Sequence, residues 1–190
     1  MPRHANYIPH GVIPAVLLPF DNDLAIDEQR SILEIAQEEI GTKLPLINGI
    51  WADGSIEAAR LARMATQGGA SALLVFPPTP FTLGQSPQMA LGHFKRIADA
   101  TDLPLIVFQY PLATGQGYSK DTLLKLCEEV PTIRAIKDWI GNVPHHEWHI
   151  RTLQNLPRPV NVLTTHSAWI FLVAGARLQW LVVRLRQRDC

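Results

Sequence analysis

Lys137 stands in the sequence where a lysine could act as a nucleophile. It follows residues 132–136, a short apolar segment typical of a buried β-strand. A strand buried on both faces has a near-continuous apolar sequence, so a lone ammonium at its end must meet water, an anion or a substrate. If burial lowers its pKa, the neutral amine can attack a carbonyl carbon and form a Schiff base. The alternative is a surface lysine just past a strand, and this segment alone does not decide between them.

Strand-like and helix-like segments alternate along the 190 residues. Apolar runs bounded by turn residues predict strands at 12–19, 44–50, 72–78, 103–110, 132–137 and 160–165. Segments with a helical period lie between them, at 28–40, 55–67, 87–100, 120–130 and 143–156. This alternation predicts an α/β protein with parallel strands and right-handed crossovers. We predict a TIM (β/α)8-type barrel rather than an open sheet, chiefly because no Gly-x-Gly-x-x-Gly follows the first strand.

Four segments in this order resemble the dihydrodipicolinate synthase and N-acetylneuraminate lyase family. They are GVIPAVLLPF at 11–20 followed by Ile26-Asp27, GASALLVFPP at 69–78, FQYP at 108–111 and IKD at 136–138. The resemblance covers roughly residues 10–176. It implies a barrel in which a lysine at the end of the sixth strand forms a Schiff base with pyruvate or another 2-keto acid, and Lys137 stands at that position. It also implies a lyase of the aldolase, dehydratase or condensing-synthase type that needs no metal or organic cofactor.

The end of the predicted fifth strand of that family departs from its usual sequence. The family usually has Tyr-Asn-x-Pro there, with a tyrosine that relays protons, whereas this chain has Phe108-Gln109-Tyr110-Pro111. A phenyl ring cannot transfer a proton, so we assign Phe108 to the substrate-binding residues only. Strand alternation puts Tyr110 on the same face, nearer the mouth of the barrel. Tyr110 is therefore the predicted acid/base, with a packing role as the alternative.

Other polar residues follow predicted strands. Thr165 matches a family position that lines the keto-acid site, but its hydroxyl could instead satisfy backbone groups at the strand end. Asn48, Trp51 and Asp53 stand where they could shape the same mouth, without an assigned role.

A histidine-rich segment, HHEWH at 145–149, follows Lys137. Its first and last histidines, His145 and His149, are four residues apart, a spacing that could hold zinc on one face of a helix. A solvated helix face is the alternative, and we predict it because the sequence supplies no third ligand nearby.

The chain is short for its family. A (β/α)8 barrel needs about 250 residues. Compared with the family, we interpret the sequence as lacking one βα unit after the first strand. The missing unit would contain the Gly-Thr/Ser-Thr/Ser-Gly-Glu type of loop, which binds the keto acid's carboxylate in the family. We predict an incomplete barrel of about six or seven strands in one domain, residues 1–176, followed by an atypical C-terminal tail at 177–190. Open strand edges then predict poor solubility or dependence on a partner, with a homo-oligomer as one possibility.

Composition excludes several classes of partner. Seventeen basic and seventeen acidic residues leave no net charge, so we expect neither nucleic acid nor an anionic membrane as a partner. Two cysteines, Cys127 and Cys190, give no disulfide framework. The sequence has no apolar run of membrane-spanning length and no signal-peptide core, and we predict a cytoplasmic protein.

Two functional hypotheses remain. In the first, the protein is a Schiff-base-forming lyase acting on pyruvate or another 2-keto acid, with Lys137 as nucleophile and Tyr110 as proton relay. In the second, it is a catalytically silent, shortened relative that misfolds or associates with full-length subunits. The lysine favours the first hypothesis, and the missing carboxylate loop favours the second.

Overall fold

The computed structural model describes residues 4, 6–13, 28–165 and 178–179. Within them lies one parallel sheet of six strands, in the order β1-β2-β3-β4-β5-β6. The strands are β1 (Ile47–Ile50), β2 (Ala72–Val75), β3 (Leu105–Gln109), β4 (Ile133–Asp138), β5 (Asn161–Thr164) and β6 (Leu178–Gln179). The helices are α1 (Glu28–Glu39), α2 (Ser55–Gln67), α3 (Pro87–Ala98), α4 (Lys120–Glu129) and α5 (Val143–Leu153).

Side chains before the helices fix where three of them begin. Ser86 accepts a hydrogen bond from the amide of Met89 at the start of α3, and Ser119 does the same for Thr122 in α4. Asn142 accepts from the amide of His145 at the start of α5. Each contact satisfies one backbone N–H that the first helical turn leaves without a partner. The cap on α5 places that helix only a few residues beyond the end of β4.

The sheet is buried on both faces over most of its length, which is why its strands are largely apolar. Alternate residues such as Val107 and Ile136 pack outward against the helices in the larger core. Their neighbours Phe108 and Ala135 face inward, in a smaller core with Leu163. The strands therefore curve around an inner cluster in the manner of a barrel, and their carboxyl ends lie at one rim.

The five predicted strands from residue 44 to residue 165 are confirmed, as are all five predicted helices, within a few residues at each end. The predicted strand at 12–19 lies outside the described residues apart from Val12 and Ile13. Most of residues 166–190 also lies outside them, so the domain division at 176/177 stays a prediction. Leu178 and Gln179, inside the predicted tail, pair in parallel with β5. No helix in the described part of the chain has the length and apolarity needed to span a membrane.

Candidate active site

Lys137 is the fifth of the six residues of β4 and faces the inside of the sheet. Its neighbours across the sheet are Phe108 of β3 and Leu163 of β5. The residue is only 8% exposed. Its Nζ atom lies 4.1 Å from the centroid of the Phe108 ring. The lysine is therefore not the surface residue of the alternative interpretation, but a buried amine at the carboxyl end of a strand.

Burial lowers the pKa of Lys137 from 10.5 to about 8. The cause is desolvation, because an ammonium held among apolar side chains loses most of its hydration. The neutral amine, which is the form that attacks a carbonyl, is then present near neutral pH.

We expect competitive labelling with acetic anhydride to detect this shift. A pKa of about 8 makes the reactive fraction of Lys137 rise roughly tenfold between pH 7 and pH 9 and then level off, because deprotonation is then nearly complete. An ordinary lysine, with a pKa near 10.4, gains roughly a hundredfold over the same interval and continues to rise. The measurement is the acetylated fraction of the Lys137 peptide at each pH, relative to free Nα-acetyl-lysine in the same sample. A Lys137 profile parallel to that of the reference would contradict the shift.

Five aromatic side chains form a continuous arc over the ends of β1–β4, which we call the aromatic arc, and Lys137 Nζ lies over the ring of its central member, Phe108. Its members, in order, are Trp51, Phe76, Phe108, Tyr110 and Trp139. The ring centroids of successive members are 5.3, 5.0, 4.5 and 5.5 Å apart. These are the separations of aromatic rings in direct contact. The aromatic arc is thus built from residues at the ends of four neighbouring strands, with the buried lysine against its centre.

Tyr110 lies where strand alternation predicts it, with its ring against Phe108 on the inner side. The residue is half-buried, and burial raises the pKa of its hydroxyl group. The hydroxyl therefore holds its proton at neutral pH and can act first as a donor. Its role as acid/base stays a prediction, as does substrate binding by Phe108.

Thr165 follows β5 and is tied to the end of β4. Both its amide, at 3.2 Å, and its hydroxyl, at 2.9 Å, donate to the carbonyl oxygen of Asp138. This is the backbone-satisfying role that the sequence left open. The hydroxyl oxygen still has lone pairs that could accept a hydrogen bond, and a substrate-binding role for Thr165 stays a prediction.

Asp138 lies next to the lysine on β4, but its side chain points to the opposite face, toward α5. One carboxylate oxygen is 2.6 Å from Nδ1 of His146 and 2.6 Å from Nδ1 of His149. The other accepts the amide of Ile140 at 3.0 Å. Burial alone would raise the pKa of this carboxyl group, but hydrogen bonds from the two histidines lower it to about 2. We call Asp138, His146 and His149 the Asp–His–His cluster.

The prediction of a solvated helix face for this histidine segment was wrong for two of its residues. His146 and His149 are buried, whereas His145 is half-buried and takes no part in the cluster. Residues 146, 149, 150 and 153 share one face of α5, and Ile150 and Leu153 on that face are apolar. This spacing is the sequence signal that could have identified the buried histidines.

The Asp–His–His cluster is also the group in the described part of the chain whose ligand atoms could hold a metal ion. Two ligands of a tetrahedral zinc, each ~2.0 Å from the metal, lie ~3.3 Å apart. The separations of 2.6 Å are instead the length of a charge-assisted hydrogen bond. The geometry thus favours a hydrogen-bonded link between β4 and α5.

Gln109, which sequence reasoning left without a role, holds the segment after β3. Its side-chain amide donates to the carbonyl of Tyr118 at 3.0 Å and accepts the amide of the same residue at 3.3 Å. Its own carbonyl accepts the amide of Trp139. Gln109 is fully buried and contacts the segments of two members of the aromatic arc: its side-chain amide donates to the carbonyl of Tyr110, and its backbone carbonyl accepts the amide of Trp139.

The three other residues predicted at the mouth make different contacts. Trp51 belongs to the aromatic arc and is 65% exposed. Asp53 accepts the amide of Thr79 and so links the segments after β1 and β2. Asn48 is buried and accepts a hydrogen bond from Gln29 of α1, which makes it a structural residue.

The fold and the site define a class: an α/β barrel protein with a desolvated lysine at the carboxyl end of an inner strand. The sequence model of the family described as "Dihydrodipicolinate synthetase family" matches residues 20–158. The chain belongs to this family.

Curated relatives agree with this assignment. The chain is 33% identical over 135 residues to the 4-hydroxy-tetrahydrodipicolinate synthase of Methanopyrus kandleri, covering 70% of this chain and 44% of that protein. It is 35% identical over 154 residues to the enzyme of the same name from Chlorobium phaeobacteroides, covering 80% and 50%. The chain thus spans about half the length of these relatives.

Solved structures share the fold. A crystal structure of dihydrodipicolinate synthase superposes with a TM-score of 0.78 at 20% identity, covering 92% of this chain and 70% of the other. The enzyme from Aquifex aeolicus gives a TM-score of 0.76 at 22% identity, covering 91% and 69%. A prophage protein of the family from E. coli K12, solved in complex with pyruvate, gives 0.74 at 24% identity, covering 83% and 53%.

Proposed function

We propose that this protein forms a Schiff base between Lys137 and pyruvate or another 2-keto acid, for aldol cleavage, condensation or dehydration. The observation that carries the proposal is the buried amine at the end of β4, with its pKa lowered to about 8 by desolvation. Membership of the family and the pyruvate-bound relative support the choice of a 2-keto acid. A cytoplasmic location and a homo-oligomeric state belong to the same proposal.

The chemistry follows from the amine and the ketone. The nitrogen adds to the keto carbon, and the keto oxygen leaves as water, which gives an iminium once the nitrogen is protonated. The positive nitrogen accepts electrons from the adjacent carbon, so a proton or a carbon–carbon bond to that carbon can be broken, which gives an enamine. The enamine can then expel a hydroxyl group from the next carbon as hydroxide. The same enamine can instead attack an aldehyde or take up a proton. None of these steps requires a cofactor.

The test of this function is reduction by borohydride in the presence of pyruvate. Reduction converts the imine to a stable secondary amine, so folded protein should gain the mass of one reduced pyruvate, located on the Lys137 peptide by mass spectrometry. An adduct on other lysines alone, or no adduct from folded protein, would reject the proposal. The silent-relative hypothesis would then be the one that remains.

Tyr110 supplies the proton relay in this proposal. We expect Tyr110→Phe to preserve the adduct with pyruvate but to slow exchange of the pyruvate methyl protons with deuterated water by roughly a hundredfold, the usual loss when a general acid/base is removed. The measurement is proton NMR of the methyl signal over time. Tyr118→Phe is the control, because the Tyr118 ring is buried against Phe94, away from the arc. Equal exchange rates for the Tyr110→Phe and control variants would assign Tyr110 a packing role.

A further inference from the structure

The aromatic arc ends in two exposed indoles. Trp51 is 65% exposed and Trp139 is 43% exposed, whereas Phe108 at the centre of the arc is 6% exposed. Lys137 lies at this buried centre, with its Nζ atom over the Phe108 ring. The reactive amine therefore opens onto a wall of ring faces and edges, and the outer rings of that wall are accessible.

Ring contacts hold this wall in place. Trp51 stacks on Phe76 with an interplanar angle of 26°. Trp139 meets Tyr110 edge to face at 67° and also lies 6.2 Å from Phe108. The carbonyl of Gln109 accepts the amide of Trp139 and fixes its backbone. Exposed indoles positioned in this way offer large, rigid apolar surfaces at a small cost in side-chain entropy.

We propose that the aromatic arc binds an aromatic ring of the substrate, so that the substrate is an aryl-substituted 2-keto acid. This inference rests on the proposed Schiff base at Lys137. A keto acid whose ring is attached one carbon from the imine carbon extends from Lys137 along the arc toward Trp139. Aromatic rings attract one another at centroid separations of about 4.5–7 Å, so a substrate ring can add to the arc at the exposed face of Trp139.

The same wall is unfavourable for a polyhydroxylated sugar acid. The arc has three polar hydrogens on its side chains, the Tyr110 hydroxyl and the two indole N–H groups, and carries no charge. Hydroxyl groups placed against ring faces would lose their hydration without gaining hydrogen-bond partners. Selectivity for an apolar substituent follows from this imbalance.

Borohydride trapping with three keto acids tests the inference. The probes are pyruvate, phenylpyruvate and the polyhydroxylated 2-keto-3-deoxygluconate, each titrated to find the concentration that half-saturates adduct formation. We expect the value for phenylpyruvate to be about tenfold below that for pyruvate, which corresponds to about 1.4 kcal/mol of binding free energy. We expect the hydroxylated acid to require a higher concentration than pyruvate.

Substitutions at Trp139 assign the preference to the arc. The preference is the half-saturating concentration of pyruvate divided by that of phenylpyruvate. Trp139→Ala should lower this ratio about tenfold, whereas Trp139→Phe, which keeps a ring, should keep most of the preference. Trp148→Ala is the matched control, because Trp148 lies on α5 against Lys120 and His149, outside the arc. Its ratio should equal that of the unaltered protein.

The outcomes separate the two proposals. A pyruvate adduct on Lys137 without a preference for phenylpyruvate, or a preference that survives Trp139→Ala, would overturn the assignment of the arc and leave the Schiff-base function standing. Absence of any adduct with all three acids would overturn both. Loss of the preference in Trp139→Ala, with retention in Trp139→Phe and Trp148→Ala, would establish it.

Discussion

Replacement of Lys137 by methionine should abolish the borohydride-stable adduct with pyruvate while leaving the protein folded. Methionine has a similar length and no nitrogen, so no imine can form at this position. The change should cost little stability, because methionine keeps the apolar contacts of the side chain and removes a charge that burial penalises. We expect an adduct yield below detection by intact mass spectrometry and a melting temperature close to that of the unaltered protein.

The matched control for this variant is Lys120→Met, which removes a lysine from the start of α4, where its ammonium lies 5.1 Å from the centre of the Trp148 ring. Its adduct yield should match that of the unaltered protein. A Lys137→Met variant that still forms the adduct would move the nucleophile to another lysine. A variant that loses the adduct because it unfolds would show a lower melting temperature, which is the result expected if Lys137 had a structural role.

Asp138→Ala should be strongly destabilising, by about 3–5 kcal/mol in the free energy of unfolding, because it breaks a buried charged network. The substitution leaves two buried imidazoles and the amide of Ile140 without the carboxylate that accepts their hydrogen bonds. A loss of this size is a large part of the stability of an ordinary domain. Urea unfolding followed by circular dichroism measures it.

Asp102→Ala is the control, since Asp102 is an exposed aspartate between α3 and β3. We expect its unfolding free energy to change by less than about 0.5 kcal/mol, as is usual for surface substitutions. A similar small change in Asp138→Ala would show that the Asp–His–His cluster contributes little to stability.

The pH dependence of stability provides a second check on the cluster. The pKa of Asp138 falls from 3.8 to about 2 on folding, so the carboxylate favours the folded state above pH 4 and this contribution disappears as the pH falls through about 2. The unaltered protein should therefore lose more stability between pH 4 and pH 2 than Asp138→Asn, which has no proton to gain.

Much of this architecture could be predicted from the sequence, because it depends on local periodicity. The apolar runs specified β1–β5, and the lysine at the end of β4 followed from a single charge in such a run. Tyr110 was assigned to the inner side by strand alternation, and its ring does contact Phe108 there. These inferences needed no knowledge of which residues meet across the fold.

Contacts between elements were harder to predict. The spacing of His146 and His149 along α5 could have marked them as buried, but their shared partner, Asp138, is revealed only by the contact between α5 and β4. Gln109 was an unassigned departure from the family sequence until its amide was found paired with the backbone of Tyr118. The aromatic arc combines residues that follow four different strands, and its ring contacts depend on rotamers and on the curvature of the sheet. Local sequence pattern does not show which of these side chains meet.

The strand order of the sheet has a consequence for how the protein folds. Each described strand pairs with its successor along the chain, and from β1 to β5 each pairing closes a loop that contains one α-helix and its connections. Such a sheet can grow by addition at one edge, and pairings of short sequence separation are associated with fast folding. One contact differs: the side-chain amide of Asn161 donates to the carbonyl of Pro9, 152 residues away. This contact closes a much longer loop, so docking of the amino-terminal segment against β5 is expected as a late event, after the strands between them have assembled.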